Sequence, residues 1–112
     1  MISTHVLDTT SGRPAAAIGV VLERQGPGGE LQHVSRARTD GDGRVRELIP
    51  GAVDLETGTY RLTFETGAYF ETLEIDGFYP RVSVLFMVRD PTQHHHVPLL
   101  LSPYGYATYR GS

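Results

Sequence analysis

The apolar runs of this chain are short, and clusters of Gly, Pro and Asp close them. That punctuation limits the possible folds more than any other feature. Long helices are excluded, and short strands joined by turns remain, as in an all-β sandwich or barrel. Tyr60, Leu62 and Phe64 alternate with Arg61, Thr63 and Glu65, the period-2 signature of a strand with one buried face. A longer run, Pro80 to Arg89, puts Val82, Val84, Phe86 and Val88 on one face and Leu85 and Met87 on the other. Both faces of that strand are therefore expected to be covered. Further strands read at Ser3 to Leu7, Ala17 to Glu23, Leu31 to Ala37, Arg44 to Ile49, His95 to Leu101 and Tyr104 to Arg110. Turn residues separate them at Asp8 to Pro14, Gly26 to Gly29 and Thr39 to Gly43, and Pro50 to Thr57 reads as irregular.

One segment breaks the alternation. Between Gly67 and Ile75, Tyr69, Phe70 and Leu73 fall on a single helical face. Thr66 stands where an N-cap belongs and Gly77 just past the end, so a short helix is expected there. The sum is about eight strands and one helix, in a single domain spanning residues 1–112.

Composition removes whole classes of chemistry. The 112 residues include no Cys, and all ten basic residues are arginines. Thiol nucleophiles, disulfides and thiolate metal sites are therefore excluded, as are Schiff bases and phosphate-loop lysines. His, Tyr, Ser, Thr, Arg, carboxylates and backbone groups remain. A net charge of −3 argues against nucleic acid as a partner. No segment approaches a membrane span, and Met-Ile-Ser-Thr-His lacks the basic and apolar regions of a secretory signal, so a cytoplasmic location is expected.

The residues that carry chemistry are few. In His94-His95-His96, a strand would turn His94 and His96 to one face and His95 to the other. Two imidazoles on one face can bind zinc or act as acid and base. A metal needs a third ligand; His5 is the obvious one, but no zinc motif joins it to the pair. Asp40-Gly41-Asp42-Gly43 does not continue as a calcium loop, because Arg44 stands where an acidic ligand is required.

Several separated segments together resemble one family, the transthyretin-like 5-hydroxyisourate hydrolases. Ser3-Thr4-His5-Val6-Leu7-Asp8 with Gly12-Arg13-Pro14-Ala15 resembles its opening motif, and Thr39-Asp40-Gly41-Asp42-Gly43-Arg44 its central one. Phe78-Tyr79-Pro80 and His94-His95-His96-Val97-Pro98-Leu99-Leu100-Leu101-Ser102-Pro103 are similar to its later blocks. Tyr109-Arg110-Gly111-Ser112 resembles the tetrapeptide that separates these hydrolases from hormone-carrying transthyretins. The resemblance implies a sandwich of two four-stranded sheets with one short helix. It also implies a homotetramer, a dimer of dimers, with active sites in clefts between subunits.

For function, the resemblance implies opening of a small purine-derived ring by water, with neither cofactor nor metal. It carries catalytic roles to His5, Arg44, His96 and Ser112, and substrate binding to His5, Arg44, Tyr109, Arg110 and Gly111. His96, two residues before Pro98, is the site histidine of its block. A neutral imidazole suits a base near neutral pH. A guanidinium fork suits a planar substrate and a developing oxyanion. The terminal Ser112, by hydroxyl or carboxylate, would orient a histidine. The alternative from another class is a carrier of a small aromatic ligand in a tetramer channel, since a fold alone does not separate carrier from enzyme.

Overall fold

The computed structural model describes residues 1–49 and 54–112. Among the described residues, nine strands and one helix occur in the order β1 (Ile2–Asp8), β2 (Arg13–Pro14), β3 (Gly19–Gln25), β4 (Leu31–Arg38), β5 (Arg44–Ile49), β6 (Gly58–Phe64), α1 (Thr66–Thr72), β7 (Val82–Val88), β8 (His95–Ser102) and β9 (Gly105–Thr108). Of the irregular stretch expected at Pro50 to Thr57, residues 50–53 lie outside the described residues, and 54–57 carry no strand or helix. No helix among the described residues is long and apolar enough to cross a membrane.

Two sheets form the layers. One runs β4-β3-β6-β7, all antiparallel. The other runs β2-β1-β8-β9, with β5 also paired to β1. It has five strands where four were expected, but it is only four places wide. β5 pairs with the start of β1 (Ile2↔Ile49, His5↔Arg44) and β2 with its end (Leu7↔Pro14, Asp8↔Arg13), so two segments share one edge. β1 and β8 are parallel, from Ile2↔His95 to Asp8↔Leu101.

Alternation explains the layering. Ile2, Val6, Val97, Leu99 and Leu101 of the first sheet and Val20, Leu22, Leu62, Phe64 and Val82 of the second are all buried. They meet as one core. Each such side chain contributes roughly 1.5–3 kcal/mol by leaving water. The buried Thr4 hydroxyl donates to the Val97 carbonyl at 2.6 Å, so no polar group is stranded there.

Four expectations need correction. Thr66 is the first helical residue rather than its cap; it is buried and its hydroxyl donates to the Tyr79 carbonyl at 2.8 Å. The helix ends at Thr72, and the left-handed residue beyond it is Glu74 (φ 57°) rather than Gly77. Phe70 packs inward, whereas Leu73 is exposed, because the helix stops before its last turn can return that side chain to the core. Finally, Leu85 and Met87 are 67% and 58% exposed, so within one chain only the inner face of β7 is covered.

Candidate active site

The outer face of the first sheet, turned away from the core, gathers the chemistry. β1 puts Ser3, His5 and Leu7 there, because Ile2, Thr4, Val6 and Asp8 are taken inward. The parallel register sets Ser3 beside His96 and His5 beside Pro98. On the other edge of β1, Arg44 stands opposite His5. Arg44 is held by the turn before it. The Asp40 carboxylate accepts the amides of Asp42 and Arg44, each at 2.9 Å, and these bonds hold its pKa below the usual value. Gly43 sits at φ +74°, and a Cβ there would lie 2.4 Å from the Val6 carbonyl oxygen, so only glycine lets β5 close on β1.

A cavity of about 280 Å³ opens on this face, lined by Ser3, Arg44, Glu47, His94, His96 and Ser112 among others. That is near the small end of ligand sites, the size for one small ring. Its centre is a hydroxyl held by two imidazoles. Ser3 Oγ lies 2.7 Å from His94 Nε2 and 2.8 Å from His96 Nδ1. Ser3 is only 5% exposed, and the two rings are 6.3 Å apart. With Nδ1 engaged, Nε2 of His96 is left without a protein partner among the described residues. Burial lowers the pKa of His96, and repulsion between its charged form and the neighbouring His94, Arg44 and His5 lowers it further, which favours the neutral ring.

The tail completes the wall. Gly111 donates its amide to the His96 carbonyl at 2.8 Å. A Cβ on Gly111 would fall 2.4 Å from His96 Cδ2, so the ring lies against bare backbone. Ser112 then enters the cavity.

Not every expected residue meets there. Arg44, His96, Gly111 and Ser112 converge. His5 is half-buried on the same face, in register with Arg44, but does not line the cavity itself. Tyr109 and Arg110 line a second cavity of about 470 Å³, with Leu85, Met87 and His95. Arg110 donates to the Gln93 side chain there at 2.9 Å. His95 is 4% exposed, with Nδ1 3.0 Å from the Gln93 carbonyl oxygen, and burial lowers its pKa too. The opposite facing of His95 relative to His94 and His96 is as the alternation required. Among the described residues, no three His, Cys, Asp or Glu side chains are grouped to hold a metal ion. Ser3 and His94 are the site residues without an assigned role in the sequence reading. For Ser3 the available signal was its place two residues before His5, on the same face.

With this geometry in view, comparisons with known proteins are informative. The family model described as HIUase/Transthyretin family matches residues 2–111. A 5-hydroxyisourate hydrolase of Salmonella typhimurium is 45% identical over 112 residues, covering 100% of this chain and 81% of that protein. One of Caulobacter vibrioides is 46% identical over 115 residues, covering 99% and 97%. The solved 5-hydroxyisourate hydrolase of Klebsiella pneumoniae superposes with a TM-score of 0.84 at 37% identity, covering 99% and 98%. Sea bream transthyretin in complex with thyroxine superposes with a TM-score of 0.91 at 26% identity, covering 98% and 93%.

The all-β sandwich thus has close structural counterparts, and the chain belongs to the HIUase/Transthyretin family. Within that family it is an enzyme, a hydrolase.

Proposed function

We propose that the chain hydrolyses 5-hydroxyisourate to 2-oxo-4-hydroxy-4-carboxy-5-ureidoimidazoline, with the cavity over Ser3 as its active site. The carrying observation is the convergence of His96, Arg44 and Ser112 on one small cavity, with His96 held neutral and its Nε2 free. The names of the relatives support the substrate.

The chemistry follows from those atoms. Nε2 of His96 takes a proton from water as the oxygen bonds to a ring carbonyl carbon. The carbonyl oxygen becomes an oxyanion and meets the Arg44 guanidinium, whose fork also orients the planar ring. Collapse breaks the ring C–N bond, and the departing nitrogen takes the proton back from the imidazolium. A positioned base of this kind contributes roughly a hundredfold to ten-thousandfold. His5 stands in register with Arg44 and holds the water or the substrate edge. Ser112 orients a ring from the tail side.

The working form is a homotetramer, a dimer of dimers. Exposed Leu85 and Met87 on β7, and half-buried Leu7 and Leu100 beside the site, support it. In that assembly Tyr109 and Arg110 bind substrate across a subunit boundary, which accounts for their place at a second cavity in one chain. A carrier of an aromatic ligand is the lesser reading. The backbone match to a thyroxine-bound transthyretin speaks for the fold, whereas a carrier's channel has no use for two imidazoles and a guanidinium around one small cavity.

The test adds purified chain to freshly made 5-hydroxyisourate and follows its decay. Decay faster than the spontaneous rate supports the reading; an unchanged rate overturns it.

A further inference from the structure

Ser3 has no part in the mechanism above, yet it is the most constrained polar group in the site. It is nearly fully buried, and its single oxygen makes two short contacts, both to ring nitrogens. A hydroxyl supplies one proton and accepts through its lone pairs. It can donate to only one of the two rings, so the other must bring its own N–H. When both imidazoles are neutral, one of His94 Nε2 and His96 Nδ1 carries hydrogen and the other does not. The two tautomers are therefore linked through one oxygen.

We propose that Ser3 is a positioning residue that holds His94 and His96 in the same tautomer, Nδ1–H in both at rest, and passes a proton between them. This deepens the functional reading above and rests on it for its catalytic part. In the resting state His96 Nδ1–H donates to Ser3 Oγ, and the Ser3 hydroxyl donates to His94 Nε2. Nε2 of His96 is then bare and faces its task as base. Once it has taken a proton from water, the Nδ1 proton moves to Ser3 Oγ as the Ser3 proton moves to His94 Nε2. The positive charge now rests on His94, and His96 is neutral with hydrogen on Nε2. No atom or electron is gained or lost, and the reverse transfer restores the resting state when the leaving nitrogen is protonated.

The placement suits such a relay. His96 is half-buried, whereas His94 is exposed, so the charge moves from a dry ring to a hydrated one. His5 on β1 and Arg44 on β5 stand in register beside the unit, and both disfavour a charge on His96. Arg46, Glu47 and Met1 complete the wall around it. A hydroxyl that served the fold alone would need only one partner to be satisfied.

The experiment has two readouts. Ring nitrogen chemical shifts of ¹⁵N-histidine protein, recorded without substrate, report each tautomer. The wild type should show His94 and His96 both in the Nδ1–H form. Ser3→Ala should leave His96 a mixture, and Ser3→Thr should restore the single form. His94→Phe removes the other partner and should also change the His96 tautomer, which covers the case of a Ser3→Ala protein that does not fold.

In turnover, Ser3→Ala should lower kcat roughly tenfold to a hundredfold, the usual cost of losing a partner that orients a working imidazole. KM should stay within about twofold and Ser3→Thr should recover most of kcat, since only the transition state is affected. Unchanged His96 tautomers in both Ser3→Ala and His94→Phe, or an unchanged kcat in folded Ser3→Ala, overturn the proposal. If wild-type chain does not accelerate hydroxyisourate decay, the functional reading fails, and the ring shifts alone still decide the linkage.

Discussion

His95 and His96 are neighbours in one strand, and burial lowers the pKa of both, yet the two faces of β8 make different use of them. On the inner side His95 is almost wholly covered and spends its Nδ1 on the Gln93 carbonyl two residues away. On the outer side His96 spends its Nδ1 on Ser3, 93 residues away in sequence, and keeps Nε2 for a cavity shared with Arg44 and Ser112. A lowered pKa therefore does not mark a working histidine by itself. What distinguishes His96 is the Ser3 hydroxyl on its Nδ1 and the second imidazole, His94, on the far side of that hydroxyl.

Removing each ring in turn separates the two faces of β8 most strongly. His96→Ala should abolish catalysed decay of 5-hydroxyisourate, a loss of roughly a hundredfold or more, with the circular dichroism of the fold retained. His95→Ala should instead cost about 1–3 kcal/mol of stability, read as a lower thermal midpoint, with activity per folded molecule largely kept. The opposite pattern would exchange the roles of the two faces.

Arg44→Lys comes next. It keeps the charge but replaces a planar fork by a point charge, so kcat/KM should fall by roughly a hundredfold. A lysine variant as active as the wild type would show that charge alone suffices. Gly111→Ala should have a smaller effect, about tenfold in kcat/KM, because the added methyl must push the His96 ring from its seat. A Gly111→Ala protein with full activity would remove the tail from the site's support.

The gentlest probe is pH. Both His95 and His96 have folded pKa values depressed below the ordinary 6.5. Their neutral forms contribute stability that is complete above that value and is lost as pH falls through the folded values. The thermal midpoint should therefore drop between pH 7 and pH 5, and His95→Ala should reduce that drop. Activity should show an acid limb with its inflection below about 6.5, set by His96 on the outer face. A limb lying above 6.5 would assign the base elsewhere.

Much of this was legible in the residues. Alternation at Tyr60 to Phe64 and Val82 to Val88 placed strands and their inner faces, because the period of a half-buried strand is local. The facing of His94, His95 and His96 followed from the same period. What the residues do not display is pairing. Nothing near Ser3 announces that β1 will lie parallel to β8, so the hydroxyl's two imidazole partners are invisible in the sequence. The split edge of β1, shared by β5 and β2, is hidden for the same reason. Thr66 misled because a threonine before an apolar helix looks like a cap, whereas here its hydroxyl reaches a carbonyl in the chain leading to β7. Tyr109 and Arg110 sit beside Gly111 in sequence and run with it along the edge of β8, yet they line the second cavity rather than the first.

The parallel pairing of β1 with β8 has a consequence for how the protein comes into being. Ser3 leaves the ribosome 93 residues ahead of its partner His96. Until then one edge of β1 presents unsatisfied amides and carbonyls, the kind of surface that invites pairing with a neighbouring chain. Contacts of such long sequence separation also slow folding. Newly made chain is thus exposed to misassembly until β8 has been made, and no fragment ending before β8 holds the Ser3–His96 contact.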